Sequence, residues 1–157
     1  MRRYGERIVP GVRYRTRPGA YGVILDRPGG NHLLLAATPA AGEELLLPGG
    51  GVDPGEGLLP ALHREVMEET GWRIRPLQRL GAFQRYCYMS NYGQWGHKIC
   101  HVFLCTAGRS VAAPSEADHQ PVWLPLAEAA VRLSVSGERA FVARLLSART
   151  RRAAERA

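Results

Sequence analysis

Residues 50–72 read GGVDPGEGLLPALHREVMEETGW, and inside this stretch Arg64, Glu65, Glu68 and Glu69 put four charges, three of them negative, into six positions. Leu58, Leu62 and Val66 recur every fourth residue and Gly71 stands where a helix would stop, so the spacing predicts a helix over 58–70. On that helix Glu65, Glu68 and Glu69 share one face, where like charges repel by about 0.2–0.5 kcal/mol per pair. An acidic helix face is usually solvated surface. Here the crowding calls for a cation, because hard divalent ions such as Mg²⁺ take oxygen ligands and share them between carboxylates and substrate phosphates. The run PGGGVDPG over 48–55 can turn sharply and bring backbone groups close to a ligand, since glycine tolerates positive φ. Arg64, one turn before Glu68, can pair with Glu68 or Glu56, orienting the acids and easing their repulsion. Glu56 is placed to fix the loop, as groups one step removed from a metal do.

Working outward, AYGVILDR (20–27) and HLLLAAT (32–38) flank the turn signal PGGN and read as a hairpin. ELLLP (44–48) reads as another short buried strand. Beyond the helix come WRIRP (72–76), GAFQRYCYM (81–89) and KICHVFLCTA (98–107), the last two joined by SNYGQWGH as a longer hairpin loop, and then PVWLP (121–125). LAEAAVRL and SGERAFVARLLSART read as helices, the latter with Phe141, Leu145 and Ala148 on one side. Strands alternating with three helices predict an α/β fold with a mixed sheet covered on both faces.

The 157 residues, 45% hydrophobic, suit one domain over 1–157, with basic, sparsely apolar ends at 1–18 and 149–157 that are open to fraying. The net charge of +7 rests almost wholly on arginine, Lys98 being the sole lysine. That balance suits a polyanionic partner without proving one, so nucleic acid stays open. Cys87, Cys100 and Cys105 form an odd set with no CxxC pair, which argues against disulfides or zinc. No apolar run approaches the ~20 residues a membrane span needs, and the N-terminus lacks a secretory pattern, so the expectation is a cytoplasmic protein with no membrane partner.

Gly50, Glu56, Arg64, Glu65, Glu68, Glu69 and Gly71, at their fixed spacing, resemble the signature box of the Nudix hydrolases. With residue frequencies of roughly 5–7%, seven such identities would arise in a chain of this length by chance on the order of once in a million. The order of strands and the VWLPLAEA segment are also similar to that family, over about 20–147. The chain departs from the pattern at Trp72, where the family has an aliphatic residue. That position follows the helix and is expected to face the core.

The resemblance implies a Nudix-like α/β/α sandwich with a mixed sheet. It also implies a Mg²⁺-dependent pyrophosphohydrolase, Mn²⁺ able to substitute, that cleaves a nucleoside diphosphate linked to another moiety by attack of water on phosphorus. The linked moiety would make the substrate a nucleoside triphosphate, an oxidised nucleotide or a dinucleoside polyphosphate. Metal ligands would be Glu65, Glu68, Glu69 and the carbonyl of Gly49. Gly50 and Glu56 would support the loop. Arg64 joins the catalytic set through support, and either Glu65 or Glu116 would serve as base. Asp118 is a lesser candidate for the acid of that loop, and His119 reads as incidental. Tyr86 and Tyr88, with Tyr92 and Trp95 nearby, are candidates for stacking a nucleobase. Other readings are a silent Nudix-fold nucleotide sensor and an RNA 5′-end pyrophosphohydrolase or RNA-binding protein. A homodimer is compatible with the sequence.

Overall fold

The computed structural model describes residues 1–39 and 43–156. Its strands are β1 (Arg3–Gly5), β2 (Arg15–Leu25), β3 (His32–Thr38), β4 (Glu44–Leu46), β5 (Gly49–Gly51), β6 (Trp72–Met89), β7 (Gln94–Ser110) and β8 (Gln120–Pro125). The helices are α1 (Leu58–Thr70), α2 (Leu126–Arg132) and α3 (Ser136–Ala154). The sheet is mixed. It runs β1-β6-β7-β2-β3-β4, with β5 added to β2 and β8 added to β3. β2 runs parallel to β7 over its whole length, and its far edge takes β5 at Gly19–Tyr21 and β3 at Ile24 and Leu25.

The two faces are apolar for the reason the alternation predicts. Val23, Leu25, Leu33, Leu35, Phe83 and Val102 point to one side and pack under α2 and α3 through Leu126, Leu133, Phe141 and Val142. Ala20, Ile24, Leu34, Phe103 and Cys105 point to the other side and meet Leu62 and Val66 of α1. Trp72 closes this second core, its ring set edge-on to Trp123 at 5.3 Å, so the bulkier residue after the helix is absorbed by packing. All three cysteines are free and buried.

Three stretches differ from the sequence reading. WRIRP and GAFQRYCYM are one strand, because register shifts beside Ile74, Gln78 and Gly81 let Pro76 and Gly81 sit at irregularities of a continuing ladder. The loop expected over 90–97 contracts to a short 3₁₀ turn at Ser90–Tyr92, after which Gly93 takes a left-handed φ of 58° and β7 resumes. Part of the basic segment 1–18 is also strand: Arg3–Gly5 pairs in parallel with Gln84–Tyr86, and β2 begins at Arg15. Among the described residues no helix is long and apolar enough to cross a membrane.

Candidate metal and catalytic site

α1 is the centre of the site, and glycines fix its stop and its packing against β5. Gly71 caps the helix at a left-handed φ of 71° and donates its N–H to the Met67 carbonyl. A Cβ there would also stand 1.9 Å from the Ala112 carbonyl oxygen, so conformation and contact both require glycine. In β5, beside the middle of the helix, Gly50 leaves the volume that the Glu65 carboxylate occupies: a Cβ would come within 2.3 Å of Glu65 Oε2. The spacing from Gly50 to Glu65 is therefore a packing requirement.

Arg64 gathers the acids. Its Nε donates to Glu56 Oε1 at 3.0 Å and its Nη2 to Glu56 Oε2 at 2.9 Å, a two-pronged pair. Nη2 also donates to the Gly51 carbonyl, and Nη1 reaches Glu65 Oε1 at 2.7 Å and Glu68 Oε2 at 3.3 Å. Both partners proposed from the sequence, Glu56 and Glu68, are engaged at once. The Arg64 bonds, with help from the Asp53 N–H, hold the Glu56 carboxyl down at about 2. Glu65 goes the other way. Desolvation raises it, Arg64 pulls it back, and the nearby Glu68 and Glu116 carboxylates raise it further.

Glu69 is only 7% exposed. Its Oε2 accepts the Gly49 N–H at 2.9 Å, which ties the helix to the β5 strand and orients the glycine named as a carbonyl ligand. Burial raises its carboxyl well above the ordinary range against the pull of that N–H, and Glu65 and Glu116 push it higher.

The fourth acid arrives from the segment 111–119. The Ser115 and Glu116 N–H groups both donate to the Glu68 carbonyl, at 2.8 and 3.1 Å, and the Val111 N–H donates to the Gly71 carbonyl. These bonds use carbonyls that the end of a helix leaves free, and they bring Glu116 over the acidic face. Ligand atoms of Glu65, Glu68 and Glu116 lie within 4.8 Å of one another, as do those of Glu69, Glu116 and His119. An acid-rich set of this kind, partly relieved by the Arg64 guanidinium, suits a divalent ion with oxygen ligands.

A cleft of about 660 Å³ opens from Gly49, Glu65, Glu69 and His119 toward a floor of Tyr21, Arg85, Lys98 and Glu138. Tyr88 and Tyr92 stand at its border, the latter under the Arg17 guanidinium at 4.4 Å. Tyr86 is placed elsewhere: it stacks on His97 at 4.4 Å with Tyr14 edge-on, and it does not line the cleft. A larger hollow of about 870 Å³ beside the C-terminal half of α3 contains none of these acids.

Sequence reasoning missed the floor of the cleft. Glu138 is 4% exposed and accepts the Leu47 N–H at 2.9 Å, and burial pushes its carboxyl up to about 7. Its position three residues before Phe141, on the apolar side of the helix, was the available signal. Burial, with Cys100, Glu138 and Glu69 adding to it, likewise raises the Tyr21 hydroxyl. Arg85 and Lys98 come from neighbouring strands and carry no local pattern.

Comparison with known proteins agrees with this geometry. A 39-residue stretch, 25% of the chain, is 49% identical to a Bacillus subtilis (strain 168) protein named "Putative 8-oxo-dGTP diphosphatase", and it spans about a quarter (26%) of that relative. Among solved structures, a NUDIX hydrolase from Nitrosomonas europaea is similar with a TM-score of 0.68 and 18% identity, over 85% of this chain and 90% of that one. The MutT protein of Methanosarcina mazei Go1 is similar with a TM-score of 0.64 and 23% identity, over 85% and 95%. At these identities the structures speak to the fold. The NUDIX domain model matches residues 15–145, which takes in the acidic helix, the Arg64 clamp and the 111–119 segment together, and the chain thus belongs to the NUDIX domain family.

Proposed function

We propose that the protein is a Mg²⁺-dependent pyrophosphohydrolase that cleaves a nucleoside diphosphate linked to another moiety into a nucleoside monophosphate and a phosphate-bearing product. The observation that carries this reading is the clustering of Glu65, Glu68, Glu69 and Glu116, two of which, Glu65 and Glu69, line a cleft large enough for a nucleotide. Glu65, Glu68, Glu69 and the Gly49 carbonyl would hold the metal, with Glu116 facing them from the loop. When bound, the ion would neutralise the diphosphate and make the attacking water more acidic.

The residues of the chain do the rest. Arg64 fixes Glu65 and Glu68, and Glu56 fixes Arg64. Either Glu65 or Glu116 would take the proton from water as it attacks phosphorus in line with the leaving oxygen. Arg85 and Lys98 give the cleft floor a positive side suited to an anionic substrate, and Tyr88 offers a ring at its border.

The name of the Bacillus subtilis relative puts an oxidised purine nucleoside triphosphate in the test panel, beside ordinary nucleoside triphosphates and dinucleoside polyphosphates. Release of phosphate or pyrophosphate from at least one of them should require Mg²⁺, vanish with EDTA and return on adding metal. Unchanged turnover in verified metal-free protein would end the metal reading. A panel with no substrate, together with tight nucleotide binding, would favour a sensor, and turnover confined to triphosphate-ended RNA would favour the RNA role.

A further inference from the structure

The hollow of about 870 Å³ beside α3 shares no lining residue with the acidic cleft. Its floor is hydrocarbon. Phe141, Leu145 and Ala148 form one stripe of α3, and Leu77, Leu80 and Leu104 complete the floor from β6 and β7, Leu77 being 45% exposed.

The rim is cationic. Arg144, Arg149, Arg152 and Arg156 all line the hollow, and no aspartate or glutamate does so among the described residues. None of the four takes part in an ion pair among those residues. A helix favours a cation in its last turn, which accounts for Arg151 and Arg152 but not for Arg144 and Arg149. Those two are held in place: the Arg144 guanidinium lies 4.1 Å over the Phe141 ring, and Arg149 Nη1 donates to the Gly30 carbonyl at 2.6 Å. Arg152 follows Ala148 by one turn, so the apolar stripe of the helix ends in a guanidinium.

Two features narrow the occupant. Uncompensated positive charge beside an apolar floor draws an anion. Beyond the arginines, Gln78 is the sole polar side chain among the described lining residues. A peptide laid on this floor would bury N–H and C=O groups without partners, a cost that a hydrocarbon chain does not carry. Stacked nucleobases are disfavoured as well, because the one aromatic ring in the lining, Phe141, is already covered by Arg144.

We infer that the hollow binds a monomeric long-chain carboxylate, its hydrocarbon chain on Leu77, Leu80, Leu104 and Leu145 and its head against Arg152 and Arg156. The site needs neither metal nor nucleotide, and it stands or falls apart from the proposed hydrolase.

The test is calorimetric titration of the full chain with octanoate, decanoate and dodecanoate, each below the concentration at which it forms micelles. One site per chain is expected, with affinity rising by about two- to fourfold per added methylene, full burial of a CH₂ setting the upper figure. 1-Decanol should bind on the order of 10-fold more weakly than decanoate. Leu77→Glu should weaken decanoate by on the order of 10–100-fold, and Arg152→Glu combined with Arg156→Glu by on the order of 10-fold. All three positions are exposed, so melting temperature and Mg²⁺-dependent turnover should hold in both variants. The wild-type series decides even if a variant folds poorly: an affinity unchanged from octanoate to dodecanoate removes the apolar floor from the site, and equal binding of decanol and decanoate removes the cationic head. Undiminished binding in both folded variants places the ligand elsewhere. Attachment to phosphatidylglycerol vesicles, or to an acidic peptide, without binding of monomeric dodecanoate makes this a membrane or protein surface. Each of these outcomes overturns the proposal.

Discussion

The two walls of the site are built by opposite means. The helical wall, residues 49–72, is held by side chains: Arg64 on Glu56, Glu65 and Glu68, and Glu69 on the Gly49 N–H, the last pair 20 residues apart. The loop wall, residues 111–119, crosses to the helix over a separation of 47 residues, and its main attachments are backbone N–H groups on the Glu68 and Gly71 carbonyls. Side-chain attachment fixes residue identity, whereas backbone attachment fixes position and leaves identity open. One wall is therefore a motif, and the other is a place where a motif-free sequence can still deliver an acid.

The largest expected effect tests the helical wall. Glu69→Gln removes a charge from the acidic cluster and, with Glu69 as a proposed metal ligand, should cost several kcal/mol of transition-state stabilisation, roughly 10³-fold in turnover, partly recovered at high Mg²⁺. Steady-state kinetics across a Mg²⁺ series would show it, and a loss under tenfold would break the assignment. Glu116→Gln comes next. If Glu116 is the base, turnover should fall by about 10²-fold at any Mg²⁺ concentration, with a changed acid limb in the pH profile. Thermal melting should stay the same, because the backbone and not the carboxylate anchors this loop. A near-normal rate would hand the proton to Glu65, and a large drop in melting temperature would erase the contrast between the walls.

Between the walls, Glu138 tests the cleft floor through pH. Its carboxyl, raised by burial from 4.5 to about 7, favours the neutral acid in the folded state, so its contribution is complete below 4.5 and is lost as pH rises through about 7. Glu138→Gln should flatten that decline by at most about 3 kcal/mol, read from denaturant unfolding at several pH values. An identical decline in the variant would locate the titration elsewhere.

The smallest effect concerns Arg64. Arg64→Ala should cost about 2 kcal/mol of stability, below the ~3–5 of a fully buried pair, because the guanidinium side chain is 30% exposed. The Glu56 carboxyl lies below its ordinary value, so the Glu56 share of this pairing, one of several Arg64 makes, is present above pH 4.5 and fades as pH falls toward 2. The gap between wild type and variant should narrow over that window. If turnover collapses while melting and metal affinity both hold, Arg64 acts on substrate and is not a support.

How much was legible follows the same division. The helix, its stop at Gly71 and the clustering of Glu65, Glu68 and Glu69 are written in local spacing, and so are the PGGN hairpin and the two-sided core. The continuity of β6 was hidden because Pro76 and Gly81 signal breaks unless a partner strand shows how irregularities absorb them. His119 was illegible because a lone loop histidine gains meaning only beside Glu69, 50 positions away in sequence and 3.4 Å away in space. Arg85, Lys98 and Glu138 meet only once β6, β7 and α3 have packed.

That dependence on packing bears on how the protein forms. Arg15–Leu25 aligns in parallel with Gly96–Thr106, so partners in this ladder are 81 residues apart, as for Thr16 and His97. The whole acidic helix lies inside the loop this pairing closes. Closing so long a loop carries an entropy cost that grows with its length, and pairings of this kind form slowly. The helix and its arginine clamp are local and can form early, while the 111–119 segment can reach the acids only after the strand before it has docked. Protein diluted from denaturant should regain helical circular dichroism before it regains divalent-cation affinity, the catalytic geometry being the last thing the chain acquires.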